Sequence, residues 1–377
     1  MTFCRDAGEF AALAPAWETL HRDCPPATPF QSHAWLHSWW LSYGVPGRLR
    51  LVLVWRGGEL AAAAPLMRAY RPYPVLTGLG GAVTDYGDVL VDARADADGA
   101  VSAALAAGVR TAARGSVVEL REVRAGAAAE ALYARWRGPK RQLTDSTCLE
   151  LPGLPMEGLI ARVGSSRGQR IRSTLRKLDA AGITERDVPP AEVPSAVANL
   201  VRLHLLQWQG RGVNPEHERP RFAAHLTRAM TRMVASGDAV VTEFRLAGEV
   251  VAANLTVLSP TLAGGYLYGA HPRLRGTKVD LNTLLTRHGV RHTAGAGRTT
   301  LSLLRGAEPY KFHWRPEHVA NRRLLLSGAP TAPLLLLRYG PARVRAAAAG
   351  CPRLRAWRDR LASLRRPGRE TRHRGGG

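Results

Sequence analysis

The chain of 377 residues carries 53 Lys and Arg against 30 Asp and Glu, a formal charge of +23, and 45% apolar residues. That length suits two globular units, and the apolar content is enough for packed cores, which excludes a low-complexity chain. No apolar run reaches the roughly 18 residues of a membrane span, Asp6 and Glu9 sit where a secretion signal would be basic and then apolar, and Cys4, Cys24, Cys148 and Cys351 form no CxxC pair, so a cytoplasmic protein with reduced cysteines is expected.

Phe10, Leu13, Trp17 and Leu20 recur at helical spacing and predict a first helix running through Pro15. Ser32 caps a second helix through Trp40, with Gly44 as its stop. His33 and His37 lie one turn apart on it. Ala34 stands where a metalloprotease helix needs Glu, and no metal site is expected. Strands are predicted at 49–55 and 60–67 about the turn Arg56-Gly57-Gly58-Glu59, a helix at 100–113 and a strand at 116–121. The Pro- and Gly-rich stretch Leu151 to Pro155 reads as a linker.

Beyond it, a helix from Ser166 to Leu178 sits in a stretch, 162–177, with six cations and no acid. It reads either as a solvated amphipathic helix or as a clamp for an anionic substrate. Strands come next at 239–245 and 250–257 about Leu246-Ala247-Gly248-Glu249, and a third starts at Gly265. Placing Trp55-Arg56 on Phe244-Arg245 matches Gly58-Glu59 to Gly248-Glu249 and Ala62-Ala63 to Ala252-Ala253 with one residue inserted, which favours a diverged duplication. The fold class is therefore α/β (α+β), with units at 1–152 and 153–330 and a basic extension at 331–377. In that extension Leu354, Trp357, Leu361 and Leu364 mark an amphipathic helix whose arginines are either solvated or meet a membrane surface or nucleic acid.

The most specific element runs from Tyr266 to Leu281: a strand, a loop with Arg273, Leu274, Arg275, Gly276, Thr277 and Lys278, and a helix start. Backbone N–H groups and the helix dipole make such a junction an anion site. The spacing Arg-x-x-Gly-x-Lys resembles the Arg/Gln-x-x-Gly-x-Gly/Ala loop with which GNAT acyltransferases hold the pyrophosphate of coenzyme A, with Lys278 in place of Gly or Ala. Phe30 to Trp40, Thr84-Asp85-Tyr86-Gly87-Asp88, the basic helix from Ser166 and the stretch Gly306 to Trp314 extend the likeness. Over roughly residues 1 to 325 the chain resembles the CelD-type acetyltransferases, double-length GNAT-like proteins associated with bacterial exopolysaccharide or cellulose production.

The resemblance implies two tandem GNAT-like domains, acetyl-CoA or another acyl-CoA as co-substrate, and an amine or hydroxyl acceptor that is a small molecule or sugar-derived. It makes 273–278 the cofactor loop. Glu308 and Asp85, with Asp88 beside it, are rival bases; Tyr268 is the donor to the departing thiolate; Tyr86, Tyr310, Lys311 and Trp314 are placed at the substrate. For each, an ion pair, a turn residue or a core aromatic is an equally good reading of the sequence. Two further readings stand: a Fem-type peptidyltransferase, which pairs GNAT-like domains and takes aminoacyl-tRNA, and a non-catalytic basic scaffold. Nucleic acid is the less favoured partner, because most of the charge lies in the tail and in 162–177.

Overall fold

The computed structural model describes residues 1–210, 214–276, 279–338 and 340, with the backbone alone at Arg275 and Gly276. The tail helix expected about Leu354 to Leu364 lies outside the described residues. No described helix is long and apolar enough to cross a membrane.

A short strand β1 (Thr2–Cys4) opens the chain, followed by helices α1 (Ala7–Ala12) and α2 (Ala14–Asp23). The single helix expected here is broken at Leu13, because Pro15 cannot continue a helix and instead sits in the first turn of α2. Helix α3 (His33–Tyr43) is capped by Ser32, whose Oγ accepts from Trp35 N at 3.3 Å. It is buried almost all round, so its apolar residues run past any single stripe. His33 uses Nε2 on the Phe10 carbonyl at 2.8 Å and stacks on His37, a core role.

Strands β2 (Leu51–Arg56) and β3 (Glu59–Ala64) form the first hairpin. The expected strand 60–67 ends at Ala64: Pro65 has no N–H for the ladder, and Leu66 starts β4 (Leu66–Tyr70) in a different sheet. Then come β5 (Pro74–Gly78), β6 (Leu90–Val91), α4 (Ala100–Ala112), β7 (Val117–Val123), α5 (Ala129–Arg135) and β8 (Lys140–Pro152). The second half holds α6 (Met156–Ala161), α7 (Ser165–Ala180), β9 (Thr184–Asp187), α8 (Val193–Trp208), α9 (Pro220–Ser236), β10 (Ala239–Leu246), β11 (Glu249–Leu258), β12 (Leu262–Ala270), α10 (Leu281–Thr293), β13 (Thr300–Arg305) and β14 (Glu317–Leu326).

The result is a mixed α/β fold on two sheets. One has the order β1-β2-β3-β6, the other β4-β5-β7-β14-β8-β13-β12-β11-β10-β9. The division expected at 152/153 falls at the end of β8, in the middle of the larger sheet, and β14 crosses back to lie between β7 and β8. One hydrophobic cluster joins Trp17, Phe30 and Trp35 from the first half to Phe222, Met230 and Leu255 from the second, and α3 is tied to α9 by Ser38 Oγ donating to the His225 carbonyl at 2.8 Å.

Strand order β9-β10-β11 repeats β1-β2-β3, each hairpin with a bulge at the same place. Pairing of Arg56 with Glu59 and of Leu246 with Glu249 sets Val54 on Phe244, Trp55 on Arg245 and Arg56 on Leu246, so no residue is inserted between the two hairpins. Both turns place their two central residues at positive φ, Gly57 and Gly58 in one and Ala247 and Gly248 in the other, the geometry whose twist suits a two-residue hairpin.

Candidate functional site

Strands β12 and β13 run parallel but pair only from Leu262 with Thr300 to Gly264 with Ser302. Past Gly264 they separate, and α10 packs beside the gap. On the far side of β12, a Cβ on Gly269 would come within 2.3 Å of His204 N, so α8 lies against that strand with no room for a side chain. The separated strands, α10 and the turn 309–314 enclose a cavity of about 80 Å³ lined by residues including Tyr268, Asn282, Thr286, Ser302, Tyr310 and Lys311.

Two tyrosine hydroxyls meet at this cavity. Burial pushes Tyr268 above its ordinary range, against hydrogen bonds from Tyr310 and Gln207 that oppose the shift. Burial, with Tyr268 beside it, pushes Tyr310 up as well. Both hydroxyls therefore keep their protons at neutral pH; Tyr310 spends its proton on Tyr268, which leaves the Tyr268 hydroxyl as the donor. Asn282 Nδ2 fixes the backbone here, donating to the Tyr310 carbonyl at 3.3 Å.

Ser302 links the cavity to the first half. Tyr86 Oη donates to Glu150 Oε1 at 2.7 Å and lies 2.9 Å from Ser302 Oγ, so with its one proton committed to Glu150 it accepts from the serine. Arg124 clamps Glu150 through two bonds, 3.0 and 2.6 Å. Tyr86 is thus buried within a chain Ser302–Tyr86–Glu150–Arg124. Neither Ser302 nor Glu150 carried any sequence signal, since they occupy unremarkable strand positions 152 residues apart; only the pairing of β8 with β13, which sets Ser302 opposite Glu150, brings them together.

The other expected residues fall elsewhere. Glu308 is half-exposed and bound to Lys311 Nζ at 2.8 Å; Lys311 also donates to the Arg305 carbonyl at 3.0 Å. Asp85 pairs with Arg305 at 3.0 Å, and burial pushes its carboxyl up although Arg305 opposes this. Asp88 accepts from the backbone N–H groups of Val89, Ala128 and Ala129, and burial raises it to about 7. Glu308, Asp85 and Asp88 are absent from the cavity lining. Trp314, placed in sequence at the substrate, is 1% exposed in a core cluster with Leu151, Ile160 and Leu301, so its faces are covered by apolar side chains.

In the expected cofactor loop, Arg273 pairs with Glu249 at 2.6 Å and Leu274 is buried against Phe244 and Leu284. Thr277 and Lys278 lie outside the described residues, as does the side chain of Arg275. The start of α10, expected to direct free N–H groups at a phosphate, is capped from within: Asp280 accepts from Thr283 N at 3.0 Å.

No curated protein matches the chain in sequence. Among solved structures, FemX superposes with a TM-score of 0.59 at 12% identity, covering 89% of this chain and 99% of its own. A conserved protein of unknown function from Bacteroides thetaiotaomicron gives 0.57 at 10% identity over 86% and 99% of the two chains. L-PGS from Bacillus licheniformis gives 0.53 at 12% over 89% and 96%. At such identities these likenesses are of fold. The stretch that holds α7 to α10, β9 to β13 and most of the cavity lining, residues 165–312, matches the sequence model of the acetyltransferase (GNAT) domain.

Proposed function

We propose that the second half binds an acyl thioester in the gap between β12 and β13 and passes the acyl group to an amine or hydroxyl. The observation that carries this reading is the separation of two parallel strands inside the matched segment, with two tyrosine hydroxyls at the opening. A cavity of about 80 Å³ is far below the roughly 300–1,000 Å³ of whole-ligand sites, so it takes the acyl end, and an acetyl group in preference to a long chain.

In this mechanism the acceptor nitrogen or oxygen bonds to the thioester carbonyl carbon, the C–S bond breaks, and the departing thiolate takes a proton from Tyr268. The acceptor's own proton leaves by Ser302, whose hydroxyl proton shifts to Tyr86 as the Tyr86 proton shifts to Glu150. Glu150 is then the base, while Glu308 and Asp85 act as ion-pair partners. Residues 273–278 remain the proposed contact for coenzyme A phosphates, which requires Arg273 to exchange Glu249 for the ligand. A sugar-derived acceptor and a cytoplasmic site of action rest on the CelD-type resemblance, and the repeated hairpins fit its tandem architecture.

The test is calorimetric titration with acetyl-CoA against octanoyl-CoA, on the wild type and Gly265→Val. A Cβ on Gly265 meets nothing nearer than 4.0 Å, so valine fills the opening without disturbing the strand. Acetyl-CoA binding that Gly265→Val removes is the expected result. Absence of binding by every acyl-CoA overturns the reading.

A second reading is favoured by the Asp280 cap together with the FemX and L-PGS folds. A carboxylate at the start of α10 disfavours a pyrophosphate there, and a Fem-type enzyme takes its donor as aminoacyl-tRNA. Salt-sensitive tRNA binding without acyl-CoA binding would select it.

A further inference from the structure

The first half holds a larger cavity, about 400 Å³, between α3, β4, β5, β7 and the turn that contains Gly81. Its volume lies in the range of small-molecule sites. The walls are mainly apolar, with Phe30, Leu36, Trp39, Met67, Leu79 and Leu120. Exposed residues at Arg71, Gly81, Ala82 and Arg121 form the mouth.

Most polar groups on the lining are already committed. Arg121 holds Asp145 at 2.8 Å; Arg305 holds Asp85 at 3.0 Å and Glu122 at 3.1 Å. Glu122 further accepts from Asn321 Nδ2 at 3.0 Å, and Asp88 receives three backbone N–H groups. Three donor side chains on the lining have no hydrogen-bond or ion-pair partner among the described residues. Arg71 has no carboxylate partner, the Trp39 indole N–H bonds to nothing and faces Gly81, and the Thr77 hydroxyl is unbonded. Arg71 is the one cation on this lining without a counter-ion among the described residues.

An apolar pocket with a free guanidinium at its mouth and two further donors on its wall is complementary to one chemistry, because a cation beside an apolar cavity gains most from a ligand that brings both charge and acceptor oxygens. We infer that this cavity is a second small-molecule site that takes an organic anion, a carboxylate or phosphate monoester carried on an apolar body. The apolar body lies along Phe30, Trp39 and Met67, and the anionic head meets Arg71, with Thr77 and the Trp39 N–H as lateral donors. Apart from Arg305 the lining comes from the first half, and the inference does not depend on acyl transfer in the second.

Isothermal titration with octanoate, octyl phosphate, octanol and octylamine, each below its micellar concentration, tests it. Octanoate or octyl phosphate binds the wild type at least tenfold more tightly than octanol, and octylamine does not bind; the better of the two anions identifies the head group. Arg71→Ala erases the tenfold preference and Arg71→Lys keeps most of it. Gly78→Leu removes binding of octanoate, octyl phosphate and octanol alike, since a Cβ at this cavity-lining glycine meets no atom within 4 Å and the side chain can fill the space. Gly265→Val, at the other cavity, leaves octanoate binding intact, so failure here and failure of the acyl-transfer reading are separately visible. Equal binding of octanoate and octanol, or anion binding that survives both Arg71→Ala and Gly78→Leu, overturns the inference; circular dichroism confirms that each variant is folded.

Discussion

The hairpin β2–β3 and the hairpin β10–β11 share turn, bulge and flanking strand, yet they lead into different third strands. After β11 comes β12, nine residues long, which diverges from β13 and opens a cavity with two tyrosine hydroxyls. After β3 the third strand is reduced to the two residues of β6, and the chain just before it, Asp85 to Asp88, turns inward to place carboxylates and Tyr86 at the boundary between the halves. One frame thus ends at a cavity with two tyrosine hydroxyls, the other in a buried tyrosine and carboxylates already held by Arg305 and by backbone N–H groups. The difference arises in the third strand, and the hairpin is its common support.

The most severe way to break this comparison is to empty the core beneath the second half. Trp314→Ala removes a fully buried ring packed on Leu301 of β13 and is expected to cost about 3–5 kcal/mol by chemical denaturation. Retention of full stability would mean that Trp314 is instead a ligand-stacking surface. Next in size is the link between the halves: Tyr86→Phe keeps the ring but cuts the Ser302–Glu150 chain. The expected outcome is a kcat lower by about a hundredfold with KM little changed, and stability lower by ~1 kcal/mol. Ser302→Ala should match it, and the double variant should be no worse than either single one; additive losses would rule out a shared proton path.

The last expectation concerns pH and belongs to the first half. Asp88 is raised by burial to about 7 from an unfolded value near 3.8, so the native state holds a proton that the unfolded chain releases. Its contribution is present below pH 3.8 and lost as pH rises through 7, so the melting temperature falls across that window. Asp88→Asn should flatten this part of the profile, measured as Tm against pH; an unchanged slope would assign it to another group.

Much of the local structure was legible in the sequence because it depends on neighbours in the chain. Ser32, the paired turn residues at 57–58 and 247–248, and the apolar spacing of α4, α7 and α10 act within a few residues. The polar strands β8 and β14 were not legible. Lys140-Arg141-Gln142 and Glu317-His318 look like solvated chain, and their place in mid-sheet depends on partners far away: Asp145 on β8 binds Arg121 of β7 and Arg323 of β14, and although burial would raise its carboxyl, those bonds hold it at about 2. The candidate site divides in the same way. Tyr268 and Tyr310 belong to recognisable local stretches, whereas Ser302 and Glu150 become neighbours only through strand register.

The position of β14 has a consequence for how the protein is made. Emerging from a ribosome, the first half can form the β2–β3 hairpin and α4 at once, but β7 and β8 face each other across a gap that only residues 317–326 can fill. Until those residues are synthesised, both strands carry unpaired edges, the feature most prone to pairing with another chain. The first half is therefore completed last, and a chain terminated before Glu317 would release two sticky edges in place of a finished domain.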